Sequence, residues 1–194
     1  MKTIYIASTN AHKLEEIQSI LPADFLLKGL KDLEIEVDIP ETGKTLEENA
    51  LLKANYLQSV INNSDAIVIA DDSGLEVEAL DGKPGVYSAR YAGEEKNDKE
   101  NNKKLLDELQ NKTNRKAKFV TIIALVEKNK QLIFKGEVKG TIAFVPKGEH
   151  GFGYDPLFIP QGYRSTFAEL GEKVKSEISH RAMAVNKLLA YLNN

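Results

Sequence analysis

The sequence predicts an α/β fold with a mixed β-sheet and flanking helices, and three segments carry that prediction. Ala66-Ile-Val-Ile-Ala70 is continuously apolar and largely β-branched, as expected of a strand covered on both faces. Thr3-Ile-Tyr-Ile-Ala-Ser8 reads as a short buried strand, and Lys13 to Leu21 follows with Leu14, Ile17, Ile20 and Leu21 at helical spacing. Phe119 to Val126 and Gln131 to Val145 are β-rich and joined by Lys128-Asn129-Lys130, which predicts a long antiparallel hairpin.

The remaining elements follow from local signals. Leu33 to Val37 is a second candidate strand, and Thr45-Leu-Glu-Glu48 has capping-box spacing at the head of a helix running to about Ile61. That helix draws its apolar stripe from Leu46, Ala50, Ala54, Leu57 and Ile61. The apolar run before Asp71 is expected to end at Asp71-Asp72-Ser73-Gly74, with Gly74 permitting a turn. Leu75, Val77 and Ala79 alternate with Glu76 and Glu78, predicting a separate half-exposed strand that stops at Asp81-Gly82-Lys83-Pro84-Gly85. Lys99 to Asn111 reads as a charged surface helix resting on Leu105, Leu106 and Leu109. A last helix begins at Ser179 as N-cap and continues to about Leu192, burying Met183, Leu188, Leu189 and Leu192.

The chain has 194 residues, enough for one domain, taken as 1–194, with room for a smaller lobe. Hydrophobic residues at 42% and charged residues at 28% are globular values, so a disordered or collagenous chain is excluded. The absence of cysteine excludes disulfides, thiolate nucleophiles and cysteine-ligated metals. Ile4 to Ala7 is too short for a signal-peptide core and no apolar run approaches a membrane span, so a cytoplasmic location is expected. The net charge of -3 argues against wrapping nucleic acid, because non-specific duplex binding needs a basic face. His12, His150 and His180 show no metal-ligand spacing.

Four segments could carry chemistry. Ser8-Thr9-Asn10-Ala11-His12-Lys13 joins a buried strand to a helix, where free amides and the helix dipole suit phosphate; the competing reading is a plain N-cap. Asp71-Asp72-Ser73-Gly74 follows the most apolar strand and offers the carboxylates that Mg²⁺ prefers, against the alternative of an ordinary polar turn. Adjacent residues of an extended strand point to opposite faces, so the two acids share a face only if the chain turns there. Gly151-Phe152-Gly153-Tyr154-Asp155-Pro156 combines glycines with aromatic faces that can stack on a base. Lys175 precedes the last helix, and His180 and Arg181 occupy its first turn, where the dipole disfavours a cation unless an anion compensates; the competing reading is that these side chains reach into solvent. Glu41 lies in a proline-containing loop from which a carboxylate could enter a cleft, or remain a surface acid. Gly43-Lys44-Thr45 imitates a P-loop, but Asp38 stands where its first glycine belongs.

Taken in order, Ser8-Thr-Asn-Ala-His-Lys13, Ala70-Asp-Asp-Ser-Gly-Leu75, Pro84-Gly-Val-Tyr-Ser-Ala-Arg90-Tyr, Phe152-Gly-Tyr-Asp-Pro156 and Ser179-His-Arg181 closely resemble the non-canonical purine nucleoside triphosphate pyrophosphatases, the inosine/xanthosine triphosphatases. Nearly the whole chain is covered. The resemblance implies an elongated α/β fold with two lobes around a central cleft, and usually a homodimer. It implies Mg²⁺-dependent cleavage between the α and β phosphates of ITP, dITP and XTP to the nucleoside monophosphate and pyrophosphate, which cleanses the nucleotide pool. Asp72 is implied as proton acceptor and metal ligand, with Glu41 a second metal contact. Ser8, Thr9, Asn10, Ala11, His12, Lys13 and Lys53 are implied to hold the triphosphate, and Ser73, Phe152, Gly153, Tyr154, Asp155, Lys175, His180 and Arg181 to surround the nucleotide, with Phe152 stacking on the base. Maf-like relatives, which favour pyrimidine or modified triphosphates, resemble a different N-terminal pattern with arginine in place of Lys13. A non-catalytic nucleotide sensor is disfavoured because both Asp72 and Lys13 are present.

Overall fold

A computed structural model of the chain describes residues 2–37, 39–127 and 130–193. The opening strand β1 (Lys2–Ile6) leads into α1 (Ala11–Ile20), and the chain returns as β2 (Phe25–Lys28), parallel to β1. α2 (Leu46–Ile61) then delivers the chain to β3 (Ile67–Val77), which pairs with the other side of β1, also in parallel. After α3 (Asp98–Glu108) come β4 (Lys116–Glu127), β5 (Lys130–Ile142) and β6 (Phe158–Pro160), followed by α4 (Phe167–Ile178) and α5 (His180–Leu192). The described strands form one mixed sheet in the order β2-β1-β3-β4-β5-β6, with β5 and β6 antiparallel. β4 and β5 are neighbours, and a connection this short is compatible only with an antiparallel pair. The expected turn residues Lys128 and Asn129 lie outside the described residues.

The chain divides into two compact units. The first comprises Met1–Asp72, Thr121–Gly136 and Arg181–Asn194, and the second Ser73–Val120 and Glu137–His180. In the first, Ile4, Ile6, Ile17, Ile69, Ile123, Val185 and Leu188 form a core in which strand residues meet α1 and α5. In the second, Leu75, Leu105, Leu109, Phe119, Phe158 and Phe167 form the core, with the Phe119 and Phe158 rings tilted at 4.6 Å between centroids.

Several expectations change. No strand forms over Leu33 to Val37: Lys31–Leu33 is a short 3-10 turn, and Glu34 closes it in the left-handed region at φ 56°, which a strand excludes. The second strand in chain order is instead Phe25–Lys28, a four-residue run too short to show periodicity, which pairs with β1 on the side opposite β3. β3 does not end at Asp71 but continues through Asp72, Ser73 and Gly74 to Val77, merging two expected strands into one. Gly74 makes no turn. A Cβ there would stand 2.5 Å from the Gly85 carbonyl oxygen, so the residue serves close backbone approach.

Thr45 caps α2 as expected, its side chain accepting from the Glu48 N–H at 3.1 Å. Glu48, however, accepts from the Lys44 N–H at 2.6 Å, and Asn49 accepts from that of Gly43 at 2.7 Å. The amides that a P-loop would aim at phosphate are thus occupied by the helix's own side chains. A complete capping box joins Thr166 and Glu169 at the head of α4, a helix interrupted at Gly171 (φ 78°) although Leu170, Val174 and Ile178 keep a four-residue apolar spacing across it. At the other end of that helix Ser179 is its C-cap, and α5 begins at His180. Leu188 and Leu189 are buried there, but Met183 faces outward, 39% exposed.

Candidate functional site

In the first unit the β1–α1 junction is built as the sequence suggests. Asn10 is the N-cap of α1, its side chain accepting from the Lys13 N–H at 3.2 Å, while the Ser8 hydroxyl accepts from the Asn10 N–H at 3.2 Å. Thr9, Asn10, Ala11 and His12 are exposed, and no acidic side chain occupies the first turn of α1. An exposed helix start without an acidic side chain suits an anion, although the Asn10 and Lys13 amides are already engaged locally. Capping and phosphate-binding readings are therefore compatible here. His12 turns toward Glu15, at 3.9 Å.

Because β3 stays extended, Asp71 and Asp72 face opposite sides and acquire different partners. Asp71 is almost completely buried, with Lys13 Nζ 2.8 Å from Oδ1 and the Arg181 Nε and Nη2 groups each 3.3 Å from Oδ2. Arg181 also donates through Nη1 to Glu16 Oε2. Burial pushes the Asp71 carboxyl upward, but Lys13, Arg181 and Lys53 over-compensate and hold it far below the ordinary carboxylate range. The anion that the helix dipole demands beside Arg181 is thus supplied by the protein, through Asp71 and Glu16. The solvent-reaching reading fails for Arg181, which is only 2% exposed.

Asp72 faces Lys53, whose Nζ lies 3.4 Å from Asp72 Oδ1 and 2.8 Å from Glu41 Oε1. Its other oxygen, Oδ2, is buried and has no hydrogen-bond donor among the described residues. Burial raises the Asp72 carboxyl, Lys53 and Lys13 only partly oppose it, and Glu41 and Asp71 push it up further. Lys53 is itself raised: burial lowers it, but Asp72, Glu41 and Asp71 together prevail.

Among the described residues no three His, Cys, Asp or Glu side chains form a metal cluster on their own. Mg²⁺ does not require one, since it is commonly held by one or two carboxylates together with substrate phosphates and water. The donorless Asp72 Oδ2, with Glu41 linked through Lys53, fits that arrangement.

In the second unit the Gly151 to Asp155 loop is folded around the Asp155 carboxylate. Asp155 Oδ2 accepts from the Phe152 N–H at 2.9 Å and from Lys175 Nζ at 2.5 Å. Lys175 Nζ also lies 4.7 Å from the centre of the Phe152 ring, within cation–π range. Gly151 has φ 76°, and a Cβ there would collide with Asp155 Oδ2 at 2.1 Å. Tyr154 is buried, its hydroxyl donating to the Ser88 carbonyl at 2.7 Å; burial, then the nearby Tyr91 and Asp98, push the phenol upward. Ser73, half-buried, directly follows Asp72 on β3. His180 is buried and stacks on Phe119, the rings 4.6 Å apart and within 9° of parallel.

Three participants escape the sequence reading. Glu16 lies three residues after Lys13, a spacing that puts both on one helix face. Asp98 Oδ2 accepts from the Gly153 N–H at 2.7 Å, and Asn102 Nδ2 donates to the Gly153 carbonyl at 2.9 Å. Asn101, Leu105 and Leu109 recur every four residues, and a polar side chain on that buried stripe, with Asn102 beside it, is the signal that a purely solvated face would not produce.

A model of the Ham1 family matches residues 4–191. A dITP/XTP pyrophosphatase of Flavobacterium psychrophilum is 49% identical over 191 residues, covering 98% of this chain and 99% of that protein. One from Staphylococcus aureus is 48% identical over 193 residues, covering 99% and 97%. The solved Staphylococcus aureus Ham1 protein superposes with a TM-score of 0.88 at 47% identity, covering 99% of this chain and 98% of that one. A HAM1 protein from Coxiella burnetii reaches 0.86 at 38% identity, covering 100% and 99%. On a match that spans nearly its whole length, in sequence and in fold, the chain belongs to the Ham1 family.

Proposed function

We propose that this chain hydrolyses non-canonical purine nucleoside triphosphates, namely ITP, dITP and XTP, between the α and β phosphates, releasing the nucleoside monophosphate and pyrophosphate. The observation that carries the reading is the division of labour on β3. Asp71 is held ionised by Lys13 and Arg181, while Asp72 keeps a buried, donorless oxygen beside Lys53 and Glu41. The relatives named dITP/XTP pyrophosphatases support the substrate class.

In this reading the Ser8 to His12 segment at the head of α1, with the Thr9, Ala11 and His12 amides as its donors, joins Lys13 and Lys53 in receiving the triphosphate, exchanging water for fixed donors and positive charge. The Asp72 carboxylate accepts the proton of the attacking water, a task suited to a carboxyl whose affinity for protons is raised by burial. Asp72 and Glu41 would hold Mg²⁺, which when bound supplies positive charge against the phosphates. Ser73, Phe152, Gly153, Tyr154, Asp155, Lys175, His180 and Arg181 serve the nucleoside end, Phe152 by stacking and Arg181 by fixing Asp71. A donor aimed at a purine 6-oxo group loses its partner when adenine presents an amino group, which disfavours ATP.

The chain acts in this reading as one domain of two lobes, as a homodimer in the cytoplasm, on free nucleotides and not on nucleic acid or membranes. The net charge of -3 supports the nucleic-acid part. Among the described residues no helix is long and apolar enough to cross a membrane. The test is a triphosphate panel with product identification. ITP, dITP and XTP should yield pyrophosphate in the presence of Mg²⁺ far faster than ATP or GTP does. Orthophosphate as product, or equal rates on ATP, overturns the reading.

A further inference from the structure

We propose that Asp98 and Asn102, from the first turns of α3, are positioning residues that set the selectivity of the enzyme for its purine base by clamping the Gly153 peptide and so presenting the Phe152 ring. The inference rests on the reading of Phe152 as the base-stacking residue and extends it to a helix that reading leaves without a role.

Both polar groups of residue 153 are taken by α3: the N–H by Asp98 Oδ2 at 2.7 Å and the carbonyl by Asn102 Nδ2 at 2.9 Å. Gly153 sits at φ 61°, and a Cβ there would meet nothing within 4 Å, so its glycine provides a left-handed backbone and not space. With open space where a Cβ would stand, no side chain at this position fixes the peptide, and α3 supplies a hydrogen bond to each of its polar groups. With the Phe152 N–H donated to Asp155 and the Gly153 N–H donated to Asp98, these two amides are engaged, and what the loop brings to a base is the Phe152 ring, which Lys175 approaches from one side.

Asn102 reinforces the argument through what it costs. It is 9% exposed, its neighbour Asn101 shares a stripe with Leu105 and Leu109, and its own Oδ1 has no hydrogen-bond partner among the described residues. A buried, half-satisfied amide is disfavoured relative to an apolar side chain, and the bond it makes to Gly153 is what offsets that cost. Asp98 stands in the first turn of α3 behind the Asn97 cap, where the helix dipole favours an acid and leaves its carboxylate oriented toward the loop.

The experiment compares kcat/KM for XTP with that for ribose 5-triphosphate, which lacks a base, in the wild type and in Asp98→Ala, Asp98→Asn, Asn102→Asp and Phe152→Ala. The XTP to ribose-triphosphate ratio should fall about tenfold in Asp98→Ala, the size of one lost charge-assisted hydrogen bond, mostly through KM for XTP. Asp98→Asn, whose side-chain oxygen still accepts from Gly153, should recover most of the ratio. Asn102→Asp, which keeps the volume but loses the donor, should lower it. Asp98 is exposed, so its variants decide the matter even if the Asn102 variant fails to fold. Equal losses on both substrates, no loss, or no recovery in Asp98→Asn overturns the clamp. A ratio that collapses in Phe152→Ala but not in Asp98→Ala overturns the clamp alone; a ratio unmoved by Phe152→Ala overturns the base-stacking reading and the clamp with it.

Discussion

The two sides of β3 at residues 71 and 72 place chemically identical side chains in opposite electrostatic situations. Asp71 meets Lys13 and Arg181 and is held ionised far below the usual range. Asp72 shares Lys53 with Glu41, keeps one oxygen without a donor and is pushed up. A buried carboxylate with two cationic partners stabilises the fold through them, whereas one short of positive charge keeps capacity for a proton or a cation. Two carboxylates in opposite electrostatic states thus sit on consecutive residues, separated only by strand alternation.

The largest expected effect falls on the reactive side. Asp72→Asn should lower kcat by about 10²–10⁴-fold while circular dichroism and size remain those of the folded wild type. Near-normal turnover would transfer the proton-accepting role to another acid, Glu41 being the next to examine.

On the paired side the expectation is reversed. Asp71→Asn should destabilise the protein by about 3 kcal/mol in chemical unfolding, because it leaves Lys13 short of its partner and Arg181 buried with Glu16. If Asp71→Asn proves as harmless to stability as Asp72→Asn, the contrast between the two sides is wrong.

A smaller effect sharpens the comparison. In metal-free buffer at neutral pH, Asp72→Asn should be more stable than the wild type by about 1 kcal/mol, the scale on which active-site groups are held at the expense of stability. The sign follows from the raised folded-state carboxyl. Above that raised value the wild type bears the full cost of the buried charge, and as pH falls toward about 4 the folded protein takes up the proton and the advantage of the variant disappears. Asp71 behaves oppositely: its contribution is present above the unfolded-state value and fades only under strong acid. Thermal melts of both variants between neutral pH and about pH 4 measure this, and an Asp72→Asn advantage independent of pH would refute it.

Much of the framework is legible locally. The apolar run before Asp71, the Thr45 cap, and the His180-Arg181 helix start all depend on residues within a few positions of one another. Errors occur where a distant contact decides. β3 continues past its carboxylates, which meet Lys13, Lys53 and Arg181, and no local pattern around Asp71-Asp72-Ser73-Gly74 announces those partners. Phe25 to Lys28 becomes a strand through its pairing with β1, while Leu33 to Val37, more strand-like by composition, does not. The charged exterior of α3 likewise hides Asp98 and Asn102, whose importance lies in a loop about fifty residues downstream, as the separation of 51 between Asn102 and Gly153 shows.

The sequence by itself therefore determined the fold class, which rests on periodicity and capping, and the order of the motifs, on which its resemblance to a family rests. Which of the two β3 acids is neutralised was decided only by tertiary structure. That choice depends on where Arg181 arrives, 110 residues after Asp71, and on Lys53 dividing itself between Asp72 and Glu41. Charge pairing acts over a few ångströms in space, a distance that separation along the chain does not encode.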